Sequence, residues 1–270
     1  MKIIKLSFLL LFFQINQSYA QKIDFNFELG QQFAFGKKEI QDINIQKSNK
    51  HSLGQGVSAL VGINIQPDSS NWGFGFGVQS LRGNNTIVFQ SVNNSIAKVN
   101  TKSMNSFRFQ TSLNYVFYLN KNKISINSGV VIPFLTKTIE EETYNTETEY
   151  YNLKYNLKHH FAVGYIGGFK IERQIQPRVS IFLNAQITLL SMKVKNKKAT
   201  EYTNEIGADL MTAFPNYADR NISYHSDLLL IRNNKSILPQ SFNTSKATDF
   251  LAYRDNLNAV GLNIGFVYHF

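Results

Sequence analysis

A chain of 270 residues without a single cysteine has no disulfide framework, no thiolate metal site, no thiol nucleophile and no lipid-acceptor cysteine of the bacterial lipoprotein kind. The formal charge is +10, but the basic residues are scattered among Asn, Ile and Tyr instead of forming a recognition helix or a basic-aromatic motif, so no nucleic-acid partner is expected. No Pro- or Ser-rich linker divides the chain, which reads as one β domain behind a leader.

That leader is residues 1–20. Lys2 and Lys5 precede the apolar run 6–13, and Ser18, Tyr19 and Ala20 precede Gln21. A basic start, a short apolar core and a small residue before the break describe a secretory signal peptide, cleaved near Ala20. Its loss leaves residues 21–270 with a charge of about +8. No later stretch supplies the roughly 20 apolar residues of a membrane-crossing helix.

From residue 23 the pattern changes to period two. Ile23, Phe25, Phe27, Leu29, Phe33 and Phe35 share one face, with Asp24, Asn26, Glu28, Gly30 and Gln32 on the other. A second strand spans 57–65, with Leu60 its one apolar exception on the polar face. A third alternates Trp72, Phe74, Phe76 and Val78 with Gly73, Gly75, Gly77 and Gln79. Five more follow: 107–117, with Arg108 on the polar face; 124–134; 161–171, with Lys170 and then Glu172 on the polar face; 179–189; and 260–270.

In all eight, one face is rich in Phe, Tyr, Ile and Val, and the other in Gly, Ser, Asn and Gln with a few charges. A sandwich would bury the large face against a second sheet, whereas a barrel in lipid turns it outward over a small polar interior. Because lipid satisfies no backbone polar group, such a sheet must close on itself. The connections alternate long (about 36–54), short (66–71), long (about 82–105), short (119–123), long (about 136–158), short (172–178) and very long (about 191–256). That alternation is the topology of an all-β, antiparallel, up-and-down, eight-stranded transmembrane β-barrel, with short turns on the periplasmic side and long loops outside. Aromatics gather toward both strand ends, as two interfacial girdles require. Phe25, Phe27, Trp72, Phe74, Tyr115, Phe117 and 266–270 fall toward one rim, and Phe33, Phe35, Phe107, Phe109, Phe134 and Phe161 toward the other.

On these features the chain resembles the small eight-stranded outer-membrane barrels, similar to OmpX, OmpW and the OmpA barrel. In its Asn-, Lys- and Tyr-rich style it is also similar to Bacteroidota barrels, PorT-like ones among them. The last strand, with Phe266, Tyr268 and Phe270 at alternate positions, looks like the signal read by the barrel assembly machinery. The resemblance implies a bacterial outer-membrane address among lipid and lipopolysaccharide. It leaves the role open, because this fold hosts adhesins, stabilisers, conduits, secretion components and a few lipid-modifying enzymes.

No cofactor, metal or catalytic site emerges, and the expectation is a protein that is not an enzyme. Gly73–Gly77 lacks the spacing and following helix of a nucleotide loop, and its glycines are expected to make room for larger neighbours and for at most a small cavity. The lumen should hold Asp24, Glu28, Arg108, Lys170 and Glu172, with Arg108 and Lys170 paired to Glu28 or its neighbours as a structural plug. His51, His159, His160 and His225 fall in loops or at the outer rim, and His269 should face inward. The run Tyr224-His225-Ser226-Asp227 is too local for a triad, whose side chains must converge. Glu140, Glu141, Glu142, Glu147 and Glu149 make the third long loop acidic, and Lys193, Lys195, Lys197 and Lys198 open the fourth. Both charge runs read as solvated strand extensions, the alternative being basic contacts to lipopolysaccharide phosphates. The fourth loop is the functional suspect, since its apolar pieces at 210–214 and 228–231 would cap the mouth or dock a partner.

Overall fold

A computed structural model of the chain describes residues 21–35, 52–93, 96–120, 122–146, 149–213 and 216–270. The expected leader at 1–20, most of the first long connection with His51, and Glu147 and Phe214 lie outside the described residues.

Eight strands form the wall: β1 (Gln21–Ala34), β2 (Gly56–Pro67), β3 (Trp72–Gly83), β5 (Ile96–Leu119), β6 (Asn122–Thr146), β8 (Gly164–Gln176), β9 (Val179–Leu189) and β14 (Ala259–His269). Each pairs antiparallel with its neighbour in that order, and β14 returns to β1, so the sheet closes without an edge. The fold is the eight-stranded up-and-down barrel of membrane-spanning type. Alternation along each strand sets its inside and outside, as β9 shows: Ser180, Phe182, Asn184, Gln186 and Thr188 are buried while Ile181, Leu183, Ile187 and Leu189 are exposed. Leu60, the exception in β2, does point inward. Toward the short-turn rim, outward rings pair as Trp72 with Tyr115 at 4.7 Å, Tyr115 with Phe117 at 4.8 Å and Phe27 with Phe266 at 5.5 Å. Phe107 and Phe134 face each other at 6.3 Å toward the opposite rim.

The short turns follow the chemistry of their residues. Ser70 donates its backbone N–H to Pro67 at 3.0 Å, and Asn120 takes φ 54°, a left-handed conformation that asparagine tolerates.

The long connections go beyond the two charged strand extensions expected at 140–149 and 193–198. β5 and β6 run on for 24 and 25 residues, far beyond the roughly ten that cross a bilayer, and their outer halves continue the same ladder. β4 (Thr86–Asn93) adds to β5, and β7 (Tyr150–His159) adds to β6. β10 (Ser191–Asn204) adds to β7 and in turn carries β11 (Asn221–His225) and β13 (Arg254–Asn256), while β12 (Thr248–Leu251) lies parallel to β11. A bulge at Pro133, which has no N–H for the ladder, marks the changeover. Below it β6 pairs with β8 as far as Val131, and above it, from Thr138, with β7.

The 65-residue connection is therefore built structure for much of its length. Where it lacks strands, buried Asn233 and Asn234 tie it together. The Asn233 side-chain amide donates to the carbonyls of Asn243 (3.0 Å), Lys246 (3.2 Å) and Ala247 (2.9 Å), and that of Asn234 donates to the Asp249 carbonyl at 2.7 Å.

Candidate functional site

Two polar regions are candidates, the barrel lumen and the strand extension above it, separated by an apolar layer. That layer is Leu53, Met104, Leu190, Met192 and Leu257, all buried, with Ala162 against them. These residues lie at the upper ends of the wall strands, between the two polar regions. Of the apolar pieces at 210–214 and 228–231, Ile231 is buried, but Leu229 is 82% exposed.

In the lumen, Asp24, Glu28, Arg108, Lys170 and Glu172 are all buried, as the alternation predicts. Their pairing departs from expectation. Glu28 accepts from the side-chain amides of Asn184 at 2.9 Å and Asn263 at 3.2 Å, and Lys170 pairs with Glu172 at 3.3 Å while lying over the Phe182 ring. Arg108 is 1% exposed, and its Nε and Nη2 have no hydrogen-bond partner among the described residues. Sequence alternation gives the face of a residue but not its height. Glu28, Leu60, Gln79 and Arg108 lie on one ladder row. Three steps of about 4.8 Å across strands tilted by about 40° separate the ends of that row by roughly 9 Å along the barrel axis. The row thus carries Arg108 out of reach of Glu28.

Below Arg108 a chain of amides crosses the lumen: Gln186 donates to Gln110 at 3.2 Å and Gln110 to Gln79 at 2.9 Å. Beneath it is a cavity of about 80 Å³, lined by Glu28, Asn64, Gly75, Ser112 and Asn184 among others, with room for a handful of waters. A Cβ on Gly75 would stand 2.6 Å from Ser112 Oγ and 2.9 Å from Asn64 Oδ1, so the bare face of β3 does make room for polar neighbours.

In the extension, the acidic and basic runs meet. Lys197 Nζ lies 2.9 Å from both Glu140 and Glu142, and Lys102 Nζ lies 3.1 Å from Glu140 and 3.2 Å from Asp255. His159 Nε2 reaches Asp255 at 2.9 Å, and Lys98 reaches Glu142 at 3.4 Å. Lys102, Lys197, Glu140 and Asp255 are buried, so the reading of solvated charges is corrected at these positions. Lys197 is likewise inaccessible to lipopolysaccharide phosphate, although Lys195 and Lys198 are exposed. Rings enclose the cluster: Lys197 lies 3.7 Å from the Tyr155 ring centre and Lys102 donates to Tyr253 Oη at 2.8 Å. Burial opposes the charge on Lys102, but Glu140 and Asp255 outweigh it and push its ammonium above the ordinary lysine value. Burial likewise opposes the charges on Glu140 and Asp255. Lys102 and Lys197 nevertheless hold Glu140 below the usual carboxylate range, as Lys102 and His159 hold Asp255. Burial pushes the Tyr155 and Tyr253 hydroxyls up, which keeps them neutral.

The run at 224–227 disperses. His225 Nε2 pairs with Asp249 at 2.9 Å, Ser226 accepts from Lys193, and Asp227 accepts the Leu229 N–H at 3.0 Å. His159 turns inward and His160 outward, on opposite faces as adjacent strand positions require. His269 does face the lumen, 2.7 Å from Asp24, which Lys123 meets at 3.0 Å. Phe266 and Phe270 are exposed and Tyr268 half-buried. Among the described residues no group of His, Asp and Glu is placed to hold a metal ion.

No protein-family model and no curated protein matches this chain. Among solved structures it is similar to a major outer membrane protein from Thermus thermophilus, at a TM-score of 0.41 and 10% identity, over 93% of this chain and 100% of that one.

Proposed function

We propose that the protein is an integral barrel of the bacterial outer membrane whose strand extension binds a protein partner, in a structural, adhesive or envelope-assembly role. The observation that carries this reading is a closed wall with its apolar face outward, topped on one side alone by a long extension. Leu29, Val61, Ile126, Leu183, Leu262 and Ile264 are all more than two-fifths exposed, a belt that only lipid would cover. On the extension Ile206 (87% exposed), Leu229, Phe250 and Leu251 stand in solvent, on a framework held by buried ion pairs. Large exposed apolar side chains on a rigid support are what a docking surface offers.

Within that reading, a component of a secretion or assembly complex, as among PorT-like barrels, is favoured over an OmpW-like conduit. The lumen is crossed by the Gln79, Gln110 and Gln186 amides and covered by the apolar layer. Affinity purification of the intact protein from detergent-extracted outer membranes should retain a stoichiometric partner, lost when Leu229 and Phe250 are changed to Ser. The protein should also fractionate with the outer membrane, shift on gels with heating, and be cut from outside the cell within residues 191–256. Recovery as a soluble, heat-insensitive protein would refute the membrane reading, and a single-channel conductance would favour the conduit.

A further inference from the structure

The short-turn mouth of the barrel holds three side chains that the sequence places 156 and 89 residues apart along the chain and that the wall brings together. β9, β14 and β1 are consecutive in the ring and contribute Ser180, His269 and Asp24. His269 Nδ1 lies 2.7 Å from Asp24 Oδ1, and His269 Nε2 lies 2.7 Å from Ser180 Oγ. One imidazole thus joins a carboxylate at one nitrogen and a hydroxyl at the other, the arrangement that activates a serine for acyl transfer. The three line a cavity of about 280 Å³ at that mouth.

We propose that Ser180, His269 and Asp24 form a nucleophilic triad that hydrolyses small, acetyl-sized carboxylic esters entering from the short-turn mouth. Asp24 orients the imidazole, with its other oxygen 3.0 Å from Lys123. Glu172 Oε1 stands 3.5 Å from Nε2 as a second carboxylate, and its other oxygen is held by Lys170 at 3.3 Å. Lys22 and Lys123 line the same cavity with Asp24 and Glu172, so its charges balance, and the two ammonium groups are the donors available to a developing oxyanion. Ser180 is 1% exposed, which restricts the acyl group to a small one, and the barrel wall separates the site from lipid acyl chains.

In the reaction, Ser180 Oγ attacks the ester carbonyl carbon while its proton passes to His269 Nε2. The bond to the leaving oxygen then breaks, and the alcohol departs with that proton. Water attacks the acyl-serine, giving one proton to His269 and thence to Ser180 Oγ, and the carboxylic acid leaves. Ester and water become acid and alcohol, with no other reactant. The sequence expectation of a protein that is not an enzyme is the reading this departs from. It rests on the barrel geometry alone, so it stands or falls separately from the partner-binding proposal.

The test uses the full chain in detergent micelles, its folding checked by heat-shifted gel migration, with p-nitrophenyl acetate as the probe. The expected result is a burst of nitrophenolate followed by steady turnover, with an acetyl group located on Ser180 by peptide mass spectrometry. Turnover should fall at least 100-fold in folded Ser180→Ala and His269→Gln, and Asp24→Asn should lower it by a comparable factor. Ser180→Cys should recover acylation, a response that a merely structural hydrogen bond would not give. Overturning results are absence of acylation in the folded protein, acetylation on Lys123 or Lys22 instead, or turnover unchanged in Ser180→Ala. If His269→Gln does not fold, the Ser180 pair decides alone.

Discussion

The lumen and the extension both bury charges, yet they do so by different rules. In the extension, Lys98, Lys102 and Lys197 are matched by Glu140, Glu142 and Asp255, each at ion-pair distance from a partner. In the lumen, Lys170 and Lys123 also meet carboxylates, but Glu28 is satisfied by amides and Arg108 by no described side chain. Water flanks the extension, so its interior must be worth forming by itself. Charge pairing there ties β5, β6, β10 and β13 into one unit beside the small apolar cluster of Leu153, Tyr155, Leu157, Val194 and Ala199. The wall of the barrel gains its stability from lipid on the outside and from ring closure, and its interior can carry an imperfect match.

The largest effect is expected from unbalancing the extension. Glu140→Gln leaves Lys102 and Lys197 short of a counter-charge inside the cluster. Breaking such a buried pair costs about 3–5 kcal/mol. Protease nicking within residues 191–256 should rise steeply while the heat-shifted barrel band persists. If the barrel band is lost as well, the two regions are not independent.

Acid should give a similar outcome without mutation. Glu140 and Asp255 titrate below their unfolded values, so their contribution is present above the ordinary carboxylate pKa of about 4 and is lost as pH falls below it through the folded values. Lys102, raised above the ordinary lysine value, is fully protonated throughout that window. Hydrogen-exchange protection factors of β10 and β13, corrected for the intrinsic pH dependence of amide exchange, should therefore be flat from about pH 8 to 5 and fall below about 4. A fall that began near neutrality would show that the ionised pairs of Glu140 and Asp255 are not what holds these strands.

A smaller effect of opposite sign is expected in the lumen. Arg108→Met keeps much of the length of the side chain and removes a buried, unpartnered charge, a change worth roughly 1–3 kcal/mol in favour of the folded barrel. The urea midpoint for loss of the heat-shifted band should rise. A fall would mean that Arg108 holds a counter-anion in solution. The least effect belongs to the exposed pair of Lys154 and Glu201 at 3.1 Å, where Lys154→Ala should change extension stability by less than about 1 kcal/mol.

These contrasts also explain what the sequence could and could not disclose. All eight wall strands were legible because lipid demands an unbroken apolar face, and Phe, Ile and Val at alternate positions supply it. Of the upper strands, only the charged runs in β6 and β10 were read as strand extensions, and their burial was missed, because the buried stripe of β6 there includes Thr138 and Glu140, that of β10 includes Lys197, and the upper part of β5 buries Lys102. A test for apolar alternation reads such stripes as loop. Lumen residues were assigned to the right face but to the wrong partners, since tilt and register are set by closure and are invisible in any one strand. The same limit hid Ser180 from His269 and Asp24. Sequence showed His269 facing inward, and the only available signal for the rest was that the polar faces of the first, seventh and eighth strands converge at one rim.

β5 and β6 pass from the wall into the extension paired to each other throughout, with one bulge. The part of β5 beyond that bulge, residues 96–107, measures roughly 40 Å at about 3.3 Å per residue. Two hydrogen-bonded strands of that length make a mast without a hinge, and a pull on its tip loads the backbone ladder in shear, all rungs together, instead of peeling them one at a time. Whatever grips the far end thereby grips the barrel, and through it the membrane in which the barrel sits.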